Sequence, residues 1–340
     1  MQRWLRMFPM MAALGLLPLH AAQKTLDFYF IDVEGGQSTL IVTPSGQSML
    51  IDTGWPGAGG RDADRIVAAA KSAGVSKIDY LLITHFHVDH AGGVPQLAAK
   101  IPIGTFIDHG ISVEHGRDED ALYRAYVEAR GTSPQMVAKP GDTIPLNGVS
   151  VKVLTANGEE IATPAAGGGE KNPLCGSEAK REVDTGENAR SVGTLWTFGK
   201  FRALDLGDLT WNKELELVCP VNKVGKVDVY VVTHHGMNLS GSATAVHAFA
   251  PRVAIMDNGA RKGGTVEAYQ AIKSSPGLED IWQLHHAVAG GTENNAADQF
   301  VANVQEKPDA GAGIKLSVRP DGFYTVTNLA TGFKKEYQAR

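Results

Sequence analysis

The chain is poor in cysteine, in basic clusters and in long apolar runs, and each scarcity removes a class of protein. Cys175 and Cys219 are the only cysteines in 340 residues, so a disulfide-dense scaffold is excluded. Neither sits in the C-x-x-C spacing of a zinc ribbon or a thioredoxin-type redox site. No Lys/Arg-rich run occurs among 32 basic and 37 acidic residues, formal net charge −5, so no face for gripping a nucleic-acid backbone is announced and a long nucleic-acid partner is not expected. Beyond residue 22 nothing reaches the roughly 18 uninterrupted apolar residues of a membrane helix. The G-x-S-x-G elbow of serine hydrolases is missing, as are a P-loop and a dinucleotide fingerprint. Gly57 to Gly60 follows a strand pattern but lacks the Lys-Ser/Thr that would hold phosphate.

What is present is a globular composition. Hydrophobic residues make up 43% and charged residues 20%, enough apolar surface to offset the ordering entropy of a full core. The first 22 residues stand apart: Arg3 and Arg6, the apolar stretch Met7 to Leu19, then His20-Ala21-Ala22. This resembles a secretory signal peptide, too short to span a bilayer of about 30 Å. The expectation is a signal peptide at 1–22, a periplasmic or secreted location with no membrane association after its removal, and one domain over 23–340. Removal of two Arg would leave 30 basic against 37 acidic residues, a balance of −7. Export would allow Cys175 and Cys219 to pair, closing a loop of about 45 residues worth roughly 4 kcal/mol in the chain-entropy model; two separate buried thiols are the alternative.

Along the chain, 25–32, 38–43 and 48–52 are β-rich runs separated by Gly35-Gly36 and Pro44-Ser45-Gly46, and read as antiparallel strands. Arg61 to Ser72 has helical spacing, and Ile78 to Thr84 is an apolar run suited to a strand buried on both faces. Helix and strand patterns then alternate to about residue 285. Residues 156–189, with Gly167-Gly168-Gly169 and many charges, have no periodicity and read as a long surface loop. The tail 314–337 alternates like a hairpin about Pro320-Asp321-Gly322.

Directly after the buried-type strand comes His85-Phe86-His87-Val88-Asp89-His90. In a chain of this composition such a pattern arises by chance on the order of once in a thousand. Three imidazoles and a carboxylate so close together are costly to bury unpaired, whereas a divalent cation makes the same crowding favourable. Further short motifs follow in order: Asp32-Val33-Glu34-Gly35-Gly36-Gln37-Ser38, Ile51-Asp52-Thr53-Gly54, Asn188-x-x-Ser191, Leu206-Gly207-Asp208 and Val232-Thr233-His234-His235-Gly236. Together they resemble the metallo-β-lactamase superfamily, and within it the branch typified by the extracytoplasmic domain of competence DNA-uptake proteins.

The resemblance implies an α/β fold of the α+β kind, a four-layer αββα sandwich. It also implies two metal ions, zinc with Mn2+ or Fe2+ as alternatives. His85 and His87 would hold the first metal, Asp89, His90 and His235 the second, and Asp208 would bridge. Asp52 would support the site, and His234 would be a proton donor beside it or the ligand in place of its neighbour. Asp89, Asp208 and His234 would carry the chemistry. Asp208 also has a plain reading as a turn or helix-cap residue before Trp211 to Glu216. The first site lacks a third imidazole; Asn188, water or His109 could complete it, while His115 has no suitable setting. His247 lies on a helical face and reads as structural, whereas His285-His286 could line the pocket. Such a site would turn bound water into hydroxide near neutral pH and hydrolyse an ester or phosphodiester of a small molecule, a β-lactam being disfavoured. Alternatives are an iron oxidoreductase in the same frame, although diiron members carry Glu where His87 stands, and a metal-stabilised binding protein.

Overall fold

The computed structural model describes residues 25–305 and 311–340; the expected signal peptide lies outside them. Two large sheets form its centre. The first runs in the order Lys334–Gln338, Phe323–Asn328, Ile314–Val318, Leu26–Phe30, Thr39–Val42, Ser48–Ile51, Ile78–Leu82, Ile103–Asp108 and Gln135–Val137. It is antiparallel up to Ser48–Ile51 and parallel from there on. The second runs Val301–Asn303, Asp280–His285, Val253–Met256, Val229–Val231, Phe201–Asp205, Gly193–Phe198, Ser150–Ala156 and Thr143–Ile144.

Side-chain alternation sorts the residues into layers. Leu26, Phe28 and Phe30 point inward to meet Trp196, Phe201, Val229, Val231 and Trp282 of the other sheet, forming one apolar layer between them. Phe28 and Trp196 meet edge to face with centroids 5.5 Å apart. On the outer face of the first sheet, Leu40, Leu81 and Phe106 pack against Ile66 and Ala70 of helix Arg61–Ser72 and Tyr126 of helix Arg117–Arg130. On the outer face of the second, Tyr230, Ala254 and Met256 receive Leu217, Val246, Phe249 and Ile272 from helices Trp211–Val218, Ala243–Phe249 and Val266–Lys273. The layers are helix, sheet, sheet, helix, as expected. Among the described residues no helix is long and apolar enough to cross a membrane.

Two expectations are extended. The hairpin about Pro320-Asp321-Gly322 forms, Ile314–Val318 pairing antiparallel with Phe323–Asn328, and grows into a three-stranded meander as Lys334–Gln338 adds to Phe323–Asn328, while Ile314–Val318 also pairs with Leu26–Phe30. Ile314, Leu316, Val318, Tyr324 and Val326 are buried in the central layer, so the tail is part of the core. The segment 156–189 contains short strand pieces at Glu159–Glu160 and Glu170–Lys171, the latter paired with Val221–Asn222.

Cys175 and Cys219 form a disulfide. It ties 156–189 to the end of helix Trp211–Val218, which begins three residues after Asp208. Glu178 strengthens the tie by accepting the Thr244 N–H at the start of helix Ala243–Phe249, 2.7 Å. Replacing both cysteines by serine should lower the unfolding free energy by about 2–4 kcal/mol, read from urea denaturation; an unchanged midpoint would refute the crosslink's contribution.

Candidate metal centre

The parallel strands of both sheets end on one edge, and their carboxyl ends carry the polar residues. Asp52 follows Ser48–Ile51, His85 follows Ile78–Leu82, Asp208 follows Phe201–Asp205, His234 and His235 follow Val229–Val231, and Asp257 follows Val253–Met256. This is where open parallel sheets bind ligands, because the chain leaves each strand there in a loop free to present side chains.

Asp89, His90, Asp208 and His235 are buried, and one ligand atom from each lies within 4.8 Å of the others. His90 Nε2 is 3.2 Å from Asp208 Oδ2 and 3.4 Å from Asp89 Oδ2. His235 Nε2 is 3.3 Å from Asp89 Oδ2 and 3.4 Å from Asp208 Oδ1. Residues 145 positions apart thus bring their Nε2 atoms to 3.3 Å. His85 Nε2 stands 3.9 Å from Asp208 Oδ2 and 3.0 Å from His87 Nδ1. His87 is at the open side, its side chain 30% exposed.

The second nitrogens of His85 and His90 are hydrogen-bonded and that of His235 lies within ion-pair distance of a carboxylate, which orients the first nitrogen of each ring. His90 Nδ1 donates to Asp52 Oδ2 at 2.7 Å, and Asp52 also accepts from Thr84 N and Thr84 Oγ1 at 2.8 and 2.7 Å. His85 Nδ1 meets Thr84 Oγ1 at 3.1 Å, and His235 Nδ1 faces Asp257 Oδ1 at 3.4 Å. The Nε2 atoms of His85, His90 and His235 are therefore left to point at a common centre.

His234 and His235 both adopt left-handed backbone conformations, φ 57° and 55°, which are unfavourable for residues carrying a Cβ. The consequence is that both rings reach Asp208, His234 Nε2 lying 3.3 Å from Oδ2. Ser240 Oγ lies 3.2 Å from His234 Nδ1. Two glycines permit the close packing: a Cβ on Gly36 would lie 2.4 Å from Asp89 O, and one on Gly263, at φ +80°, would lie 2.1 Å from His235 O.

Burial would raise the carboxyl groups of Asp89 and Asp208, yet the imidazoles of His90 and His235 hold both well below the usual carboxylate range. Conversely, burial works against charge on His90 and His235, but Asp208 and its fellow carboxylates raise both rings well above the ordinary histidine value. Burial lowers His234 to about 4, against the opposing pull of Asp208, so it is neutral at neutral pH. The cluster is one of ionised carboxylates that call for positive charge. Asp208 Oδ1 is buried without a hydrogen-bond partner, and so is Asn188 Oδ1. An unpartnered carboxylate oxygen among imidazole nitrogens is what a divalent cation would satisfy, so the donor set fits a metal.

Other candidates sit elsewhere. His109 does not complete the first site: its Nε2 is 2.8 Å from Glu187 Oε2, a partner that occupies the nitrogen a metal would need. His115 is exposed beside Asp120. His247 Nε2 meets Ala271 O at 3.1 Å, a structural contact. His285 Nε2 binds Asp32 Oδ1 at 2.8 Å and does not line the centre; Arg65 already neutralises that group through Asp32 and Glu34. Asp208 makes no cap to helix Trp211–Val218, whose cap residue is Thr210. Sequence reasoning missed Asp257, Glu114, Glu187 and Lys262. Asp257 carried a readable signal, an acid directly after an apolar strand, like Asp52. Lys262 reaches Asp89 Oδ2 and lies 5.1 Å from the Trp55 ring.

Residues 31–170 match the family model of the metallo-beta-lactamase superfamily. A UPF0173 metal-dependent hydrolase from Cupriavidus necator is 24% identical over 259 residues, 75% of this chain and 82% of the relative. A beta-lactamase-like protein 2 homolog from Caenorhabditis elegans is 29% identical over 123 residues, only 32% of this chain and 38% of that protein. The fold protein YhfI from Bacillus subtilis superimposes with a TM-score of 0.45 at 10% identity, covering 76% of this chain and 96% of that one. The family-model match over residues 31–170 and the Cupriavidus relative agree with the metallo-beta-lactamase superfamily and do not single out the competence-protein branch. Asp208, His234 and His235 lie beyond the matched segment, and their place in the centre comes from the geometry.

Proposed function

We propose, from the superfamily match of residues 31–170, that this protein is an exported hydrolase that holds two zinc ions and cleaves an ester or phosphodiester bond of a small molecule. The observation that carries the reading is the meeting of Asp89, His90, Asp208 and His235 within 4.8 Å, beside the His85–His87 pair. Divalent ions bound there supply Lewis acidity and an acidified water at neutral pH.

The protein's own residues do the rest. His85 and His87 would hold the first ion, Asp89, His90 and His235 the second, and Asp208 would serve both. Asp52 keeps a proton on Nδ1 of His90 and so keeps its Nε2 free, and the Asp257 carboxylate 3.4 Å from His235 Nδ1 favours the same tautomer there. His234, neutral and hydrogen-bonded to Ser240, can hold a proton at Nε2 next to Asp208 and pass it to a departing group. Asn188, whose buried Oδ1 has no hydrogen-bond partner, is our candidate to complete the first site in place of a third imidazole.

Two cavities have volumes that suit a small molecule, one of about 430 Å³ lined by Arg181, Asp184, Asn188, Thr210, Trp211 and Leu239 and one of about 640 Å³ between 167–174 and His247, and neither is lined by any of the converging histidines and acids. The disulfide and the leader-like 1–22 segment support export, because disulfides persist in oxidising compartments.

Activity should vanish after exhaustive chelation and return with added Zn2+ on one member of a panel of bis(p-nitrophenyl) phosphate, lactones, thioesters and β-lactams. Zinc at about 100 times its Kd should stabilise the fold by about 2.7 kcal/mol. Failure of the stripped protein to take up any transition metal would sink the reading. Metal analysis of protein purified without added metal distinguishes zinc from manganese or iron.

A further inference from the structure

The first-site pair, His85 and His87, differs from the rest of the centre in how its rings are held. His85 is buried and fixed by Thr84 Oγ1, but His87 is 30% exposed and its ring has to be oriented from the solvent side. The group that does so is Glu114, which no motif indicated. Its Oε2 and Oε1 lie 3.2 and 3.4 Å from His87 Nε2, while His87 Nδ1 lies 3.0 Å from His85 Nε2. The two ring nitrogens of His87 thus face a carboxylate on one side and a neighbouring ligand atom on the other.

Glu114 is itself held in place. Its Oε1 accepts the backbone N–H of Glu187 at 3.0 Å, and Gly186 lets the chain come that close, since a Cβ there would lie 2.4 Å from Glu114 Oε1. Glu187 in turn accepts the N–H of Phe86, the residue between the two histidines, at 2.8 Å. Glu114 is 33% exposed, so its pairing with His87 contributes little to stability. What it controls is the tautomer, because a carboxylate can only accept.

We propose that Glu114 is the positioning residue of the first metal site: it keeps the proton of His87 on Nε2, so that the Nδ1 lone pair faces the cation beside His85 Nε2. The inference rests on the two-metal reading above and adds the residue that makes the weaker of its two sites competent.

The test is titration of Zn2+ into metal-stripped full-length protein against a chromophoric chelator, with thermal unfolding in parallel. The wild type takes up two equivalents, and His87→Ala loses one of them. Glu114→Ala weakens that same equivalent by about 10–100-fold, the usual effect of removing a ligand's outer partner, and leaves the other within about twofold. Glu114→Gln, which keeps an oxygen acceptor, is weakened less. Gly186→Ala, whose methyl group displaces the carboxylate without altering any charge, weakens the same equivalent as well.

Retention of both equivalents at wild-type affinity in Glu114→Ala and Gly186→Ala would overturn the proposal. So would equal weakening in Glu114→Gln and Glu114→Ala, or parallel weakening of both equivalents with a drop in melting temperature, which marks a merely structural role. A wild type that binds no second equivalent overturns the two-metal reading itself, and is seen before any substitution is made.

Discussion

Asp208→Ala is expected to abolish the proposed hydrolysis and to disturb both proposed metal positions at once. The carboxylate lies within 4 Å of ring nitrogens from His85, His90, His234 and His235, so its removal takes a donor from each position where an ion would sit. Loss of an outer partner typically costs 10–100-fold in metal affinity or activity; loss of a shared direct donor should exceed about 100-fold. In the metal-free protein the same change leaves the raised imidazoles of His90 and His235 short of their largest counter-charge. Asp208→Asn keeps the shape and removes the charge, and should be nearly as damaging to metal uptake. Zinc stoichiometry by elemental analysis and turnover on the best substrate of the panel are the measurements. Full turnover by Asp208→Ala would show that the reaction does not pass through this centre.

Glu187→Ala should be the most destabilising single substitution near the site, by about 3–5 kcal/mol. The side chain is fully buried and accepts from His109 Nε2 and Phe86 N, both at 2.8 Å, from Val113 N at 2.6 Å and from Ser112 Oγ at 3.0 Å. Alanine would leave the His109, Phe86 and Val113 N–H groups without this acceptor in a buried site. Burial by itself would raise the carboxyl, but the His109 hydrogen bond and the backbone donors bring it down from 4.5 to about 2. The folded state therefore binds this proton less readily than the unfolded chain. The stabilisation is complete above pH about 4.5 and is lost as the pH falls toward 2, a total on the order of 3 kcal/mol. Urea unfolding of metal-free protein should show the gap between wild type and Glu187→Gln narrowing from pH 6 to pH 3. A gap independent of pH would mean that Glu187 is not ionised in the fold.

The fold was largely legible because its signals are local. Strand alternation in 25–32, helical spacing in 61–72 and the doubly buried run 78–84 each report one face toward a core, and the αββα order follows from stacking such faces. The third tail strand, Lys334–Gln338, escaped because only Tyr337 among its five residues is buried, leaving a weak period of two. The 156–189 segment has no periodicity because it is held by the disulfide, by contacts such as Glu178 to Thr244 and by isolated buried residues such as Ile161, not by a continuous apolar face.

By itself the sequence determined that histidines and acids would crowd the end of one strand, since His85, His87, Asp89 and His90 are neighbours along the chain and need no fold to be close. Asp208 and His235 were singled out by short motifs only through their resemblance to those of the metallo-β-lactamase superfamily. Only the tertiary structure decided which nitrogen of each ring is free, that His109 belongs to Glu187 and His285 to Asp32, that Cys175 meets Cys219, and that Glu114 stands behind His87. The physical reason is that tautomer, ionisation and pairing depend on desolvation and on hydrogen-bond partners arriving from remote parts of the chain, 101 residues apart for Phe86 and Glu187 and 145 for His90 and His235. Spacing along a strand or helix carries no record of them.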